Sequence, residues 1–185
     1  MANDKDKNSI FAITKNLTII CFISGIILAG VYYITAPVAA QKQVQIKNDT
    51  MKELVANADN FKNVNGKKDW YAAVKGSKTI AYVVPAVSKG YGGDINMLVA
   101  VTPDGKVVDF SIVSHNETPG LGANASEDSF RGQFKDKKAA DLTVTKDKSN
   151  KKNIQAMTGA TITSRAVTKG VKEAVQQVTT FTGGK

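Results

Sequence analysis

Cysteine is almost missing from this 185-residue chain: there is one, Cys21, and it lies in an apolar run. A single thiol cannot make an intramolecular disulfide, a Cys-ligated zinc site or an iron–sulfur centre, so those are excluded for this chain by itself. Histidine is as scarce. The single His115 has no cluster of carboxylates beside it in sequence, and no metal site is expected. Neither G-x-G-x-x-G nor G-x-x-x-x-G-K-[ST] occurs, which argues against a Rossmann dinucleotide site and a P-loop. There is no internal repeat. Proline is rare (4) and glycine is not (15), a mix that suits several tight turns with strand content.

Positive charge exceeds negative: Lys+Arg is 25 and Asp+Glu 16, for a net +9. Nearly all of that excess lies beyond residue 36. A basic balance suggests nucleic acid or an anionic membrane surface as a partner. The lysines come in scattered pairs, Lys67-Lys68, Lys137-Lys138 and Lys151-Lys152, with no basic helix and no interleaved aromatics. The expectation is therefore a solvated face near lipid headgroups, and no nucleic acid.

One long hydrophobic run is present. From Leu17 to Ala36 no residue is charged, and Tyr32 and Tyr33 fall near its far end. About 20 helical residues cross the hydrocarbon core of a bilayer, and aromatics gather at its interfaces. The rival reading is a cleaved signal peptide, with Pro37-Val38-Ala39-Ala40 as the small-residue cleavage region. The run exceeds the 7–15 residues of a typical signal core, which favours a retained anchor. Flanking charges leave its orientation open, because Lys42, Lys47 and Lys52 follow the span.

Beyond the span, Val44, Met51, Val55 and Ala58 recur at helical spacing, so a helix is expected over 38–58. Strands are expected at Ile80–Ala86, Ile95–Val101 and Val107–Val113, the last two joined as a hairpin by the turn signal Thr102-Pro103-Asp104-Gly105. A short helix is expected over Ser126–Phe134 and a strand over Asp141–Thr145. Val167, Val171, Val175 and Val178 mark one face of a final helix starting near Ser164. Strands with helices at the edges, lacking regular βαβ alternation, point to an α+β fold.

Two short motifs carry chemistry. Thr158-Gly159-Ala160-Thr161-Ile162-Thr163, followed by Ser164 and Arg165, is a small-residue loop running into a helix N-terminus. Free N–H groups and the positive end of the helix dipole stabilise a phosphate there. The same residues also read as an N-cap cluster without a ligand, with Thr163 or Ser164 as the cap. The second motif is His115-Asn116-Glu117-Thr118-Pro119-Gly120-Leu121-Gly122, whose Pro-Gly pair favours a tight turn. By itself it is equally an ordinary turn at a strand end. His115 is expected to be structural, and Trp70 to belong to the core.

These residues also carry a resemblance. Thr158–Thr163 resembles the flavinylation motif of the FMN-binding domain family, and Glu117–Gly122 resembles that family's second hallmark. Gly90-Tyr91-Gly92-Gly93-Asp94-Ile95 with Leu98-Val99 looks like a third, and the three stand in family order. With one N-terminal span, the chain is similar to the G subunits of Rnf electron-transport complexes, and it shares motifs with the C subunits of sodium-pumping NADH:quinone reductases. The resemblance implies FMN joined covalently by a phosphoester to Thr161. It also implies cofactor contacts from Thr158, Gly159, Ala160, Thr163, Ser164, Glu117, Thr118, Leu121 and Gly122, with no catalytic residue of the chain's own. One departure is Gln155, where many members have Asp.

The implied organisation is a polar segment over 1–15, a transmembrane anchor over 16–36, a helical connector over 37–60 and an FMN-binding domain over 61–185. That domain should hold a mixed, largely antiparallel sheet with flanking helices. The implied function is a redox relay in the cell membrane, its soluble domain extracytoplasmic. It would serve a complex coupling ferredoxin:NAD electron transfer to Na⁺ or H⁺ translocation. The partners implied are the other membrane, iron–sulfur and flavin subunits, a flavin transferase for maturation, and lipid. Two rival functions are an anchored assembly module that never carries flavin, supported only by Gln155, and a stand-alone extracytoplasmic flavin reductase.

Overall fold

The computed structural model describes residues 4–147 and 149–183; the first three residues of the expected polar segment lie outside them. The chain forms two compact units, Met1–Ile46 and Lys47–Lys185.

The first unit is the bulk of helix α1 (Asp4–Leu54). Among the described residues, α1 is the one helix long and apolar enough to cross a membrane, with mean hydropathy 2.3 in its most apolar window. Ile20, Phe22, Ile26 and Leu28 are all exposed, so no protein core covers them. Pro37 stands inside the helix, where its missing N–H leaves one carbonyl of the preceding turn without its helical partner. Continuity through Pro37 joins the expected span and the expected connector into one element. The helix ends at Leu54, four residues short of the expected end.

The second unit is built on a five-stranded antiparallel meander, in the order β1 (Asn60–Asn63), β2 (Tyr71–Lys75), β3 (Lys78–Lys89), β4 (Asp94–Val101), β5 (Val107–Ser114). Both faces are covered, which explains the unbroken apolar run in β4. Alternate side chains of a strand point to opposite faces. Ile95, Met97, Val99 and Val101 therefore join one core, while Leu98 and Ala100 join the other.

The larger core lies under helix α3 (Thr161–Thr182) and the segment from Ala125 to Leu142, which contains the short helix α2 (Asp128–Arg131) flanked by single 3-10 turns. Val167, Val171, Val175 and Val178 are all buried, as their spacing predicts. Each such side chain contributes roughly 1.5–3 kcal/mol relative to exposure. Trp70 is in this core and packs edge-on against Phe181, with centroids 5.6 Å apart. The smaller core is closed by the last turns of α1, where Met51 and Leu54, with Val55 just beyond, sit on Ala73, Ala81, Val83, Leu98 and Ala100.

Two charged contacts reinforce that second closure. Lys47 Nζ donates to Asp69 at 2.7 Å and lies over the Tyr71 ring. Arg131 donates to both carboxylate oxygens of Asp109, at 2.8 and 2.6 Å, and to Glu53 at 3.1 Å. A short parallel pair, β6 (Val144–Thr145) with β7 (Ile154–Gln155), leads into the loop before α3.

The direction of α3 positions the site. At its C-terminal end Thr182 Oγ1 donates to the Pro103 carbonyl, in the β4–β5 turn. Gly170 lies close over Met97 and Ser88. The N-terminus of α3 therefore reaches the opposite end of the sheet, where β3 leaves, β4 starts and β5 ends.

Candidate functional site

At that end three loops meet: Gly90–Gly93 between β3 and β4, His115–Gly122 after β5, and the loop before α3. Each is shaped by glycine. The Gly90 N–H donates to the Gly93 carbonyl at 2.8 Å, closing the first. In the second, Leu121 N–H donates to Thr118 O, with Gly120 at φ 75° in the third position of the turn. In the third, Ala160 N–H donates to Met157 O, with Gly159 at φ 75° in the equivalent position. A type II turn needs positive φ there, which glycine supplies without strain.

Helix α3 starts at Thr161, three residues earlier than Ser164, and its N-cap is Ala160 with no side-chain cap. The expectation that Thr163 or Ser164 caps the helix is not met, because both hydroxyls are used elsewhere. Ser164 Oγ accepts from the Met157 N–H at 3.0 Å and donates to the Ala160 carbonyl at 2.8 Å. Thr163 Oγ1 donates to Glu117 Oε2 at 2.5 Å. The first intrahelical bond is Ser164 N–H to Ala160 O. The N–H groups of Thr161, Ile162 and Thr163 are thus the unpaired donors of the first turn, at the positive end of a 22-residue helix.

A cavity of about 480 Å³ opens onto this turn. Its wall contains Glu117, Thr118, Leu121, Gly122, Gly159, Ala160, Thr161 and Thr163 from the two motifs, joined by Tyr91 and Ile162. The volume falls in the 300–1,000 Å³ range of small-molecule sites. Thr158 and Ser164 do not line it: Thr158 is exposed on its turn, and Ser164 is fully buried. The two wall residues outside the expected set, Tyr91 and Ile162, had only weak signals, an aromatic among glycines and an apolar residue between two threonines.

His115 has the structural role expected of it: its Nδ1 accepts the Glu117 N–H at 3.0 Å. Gln155, in β7, faces another task than the cavity. Its Nε2 donates to the carbonyls of Asp147, at 2.6 Å, and Asn150, at 3.0 Å. A carboxylate has no donors to offer there, so the amide suits this local loop.

Steric fit at Gly92 gives a direct test of the geometry. A Cβ on Gly92 would overlap the backbone carbonyl of Asn116, which cannot turn aside as a flexible side chain can. Gly92→Ala is expected to destabilise the fold by about 1–3 kcal/mol, the usual range for overpacking. Thermal unfolding of the detergent-solubilised variant checks this; an unchanged midpoint would mean that the two loops are not in contact.

An antiparallel sheet covered on one face by α3 and a cavity between its loops and the N-terminus of α3 define the class: residues 90–176 match the FMN-binding domain model. Relatives refine this. The chain is 85% identical, over the full length of both, to the G subunit of the proton-translocating ferredoxin:NAD(+) oxidoreductase complex of Clostridium ljungdahlii. It is 31% identical to the G subunit of the Na(+)-translocating ferredoxin:NAD(+) oxidoreductase complex of Acetobacterium woodii, over 92% of each chain. The chain belongs to the G-subunit family of ion-translocating oxidoreductase complexes. Among solved structures, NqrC of Shewanella oneidensis shares the fold, with a TM-score of 0.52 and 22% identity over 71% of this chain and 74% of that one.

Proposed function

We propose that this chain is the flavin-carrying electron relay of a membrane-bound complex that couples ferredoxin:NAD electron transfer to Na⁺ or H⁺ movement, with one FMN esterified through its phosphate to Thr161. The observation that carries the reading is the chemistry at the start of α3. Thr161 is the first helical residue, half-buried on the cavity wall, directly beside three N–H donors that no side chain caps. Those donors and the helix dipole suit a phosphate.

Its two hydroxyl neighbours within the helix are committed inside the fold, Thr163 to Glu117 and Ser164 to the Met157–Ala160 backbone. The residues present fit FMN: a polar anion cradle at the helix end, and an apolar lip of Tyr91, Leu121 and Ile162 for a planar ring system. FMN so held would supply one- and two-electron transfer. Thr161 would anchor the phosphate, the helix terminus would stabilise its charge, and Thr118, on the cavity wall, would supply a hydroxyl for polar contact with the ring system.

On this reading the soluble unit faces the extracytoplasmic side, where a covalent tie would prevent loss of the cofactor. The chain has one relay site and is not expected to catalyse the overall reaction alone. Its partners are the membrane, iron–sulfur and flavin subunits of the complex, a flavin transferase, and lipid. A denaturing gel of the purified complex tests the covalent reading: the band of this chain should fluoresce as flavin after heating in detergent. A dark band would support the rival, an assembly module without flavin.

A further inference from the structure

Among the described residues, Glu117 is the only charged side chain that is buried, at 6% exposure. A buried carboxylate is costly unless its oxygens are matched by donors. Glu117 Oε1 accepts the Gly92 N–H at 3.0 Å and Oε2 accepts the Thr163 hydroxyl at 2.5 Å. A Cβ on Gly90 or Gly122 would collide with this carboxylate, so both glycines make room for it. One side chain thereby ties the two loops Gly90–Gly93 and His115–Gly122 to the first turn of α3.

Resting on the reading that Thr161 takes the phosphate, we propose that Glu117 is a positioning residue that selects which hydroxyl is modified. Thr161 and Thr163 both border the cavity. Thr163 is only 1% exposed, its hydroxyl hydrogen directed at Glu117 and its oxygen closed to an approaching phosphorus. Thr161 is left open. The transfer joins Thr161 Oγ1 to a phosphorus of a flavin dinucleotide and breaks that phosphorus's bond to the departing nucleoside monophosphate. The hydroxyl proton passes to solvent, and nothing is oxidised or reduced. Removing the carboxylate frees the Thr163 hydroxyl to turn into the cavity and compete.

The test produces the full chain together with a flavin transferase as wild type, Glu117→Gln, Glu117→Ala and the double variant Glu117→Ala/Thr163→Val. Intact mass gives adduct per chain, peptide fragmentation gives its site, and thermal unfolding confirms folding. Wild type should carry flavin on Thr161 alone. Glu117→Ala should unfold several degrees lower and show an adduct on Thr163 in about a tenth of modified chains, the share of a competitor about 1.4 kcal/mol worse in its barrier. Glu117→Gln keeps the shape and one acceptor oxygen, and should show a smaller Thr163 share with a smaller loss of stability. The double variant should return all adduct to Thr161. A wild-type adduct away from Thr161 overturns the underlying reading. A wild-type adduct on Thr161, with both Glu117 variants folded and modified there alone, overturns only the role of Glu117.

Discussion

Thr161→Val is expected to abolish covalent flavin while leaving the fold intact. Valine keeps the branched shape of threonine and removes the hydroxyl proposed to form the ester. The position tolerates the change because Thr161 is half-buried on a cavity wall and is not in the core. Helix α3 is held by Val167, Val171, Val175 and Val178 well away from its first residue. Flavin fluorescence in the denatured band should fall to background, with the unfolding midpoint little changed. Thr161→Ser keeps a nucleophilic oxygen and should be modified in part. Thr163→Val should keep its adduct on Thr161 at reduced yield, because Glu117 then loses one of its donors. Undiminished fluorescence from Thr161→Val would place the ester elsewhere.

The second large effect concerns the anchor. A chain beginning at residue 38 should be soluble, whereas the full chain should stay with membranes through carbonate and high-salt washing. Leu17–Ala36 holds many Leu, Ile, Val and Phe side chains and no charge. Each such residue near a helix centre favours insertion by about 0.3–0.6 kcal/mol, and the sum over the span far exceeds thermal energy. The shortened chain keeps Lys47–Leu54, so Met51, Leu54 and Val55 still cover the second face of the sheet. Starting at residue 60 would instead bare Val83 and Leu98 and should give aggregated protein. Protease added to cells whose wall or outer membrane is permeabilised but whose inner membrane is intact should cut the lysine-rich unit at Lys137 or Lys151 if that unit is extracytoplasmic; cleavage only after the inner membrane is broken would reverse the orientation. Release of the full chain by carbonate, or a mature N-terminus near Gln41, would favour a cleaved signal peptide.

The α+β class, the apolar N-terminal helix and the three long strands were legible because their apolar runs are long. Strands β3, β4 and β5 are long runs rich in β-branched and apolar residues bounded by turn signals, and the four valines of α3 repeat at helical spacing. Strands β1 and β2 were not legible: NFKN and YAAVK are short, and their pairing is set by the meander and by Trp70 at their turn. The start of α3 at Thr161 is not legible in the sequence, because Thr163 and Ser164 read as caps. Only the folded loops show that their hydroxyls turn to Glu117 and to the Met157 and Ala160 backbone. The two motifs, distant in sequence, do meet in space, 46 residues apart at the Thr163–Glu117 contact. Glu117, read as a residue beside the flavin, does line the cavity wall; what the sequence did not show is that its carboxylate accepts from Gly92 and Thr163, in room left by Gly90 and Gly122.

Peptide mapping of the purified wild-type chain tests the covalent reading most directly. Trypsin should release the fragment from Asn153 to Arg165, and fragmentation should place one FMN on Thr161. The same fragment unmodified throughout, or carrying its FMN on Thr163, would contradict it.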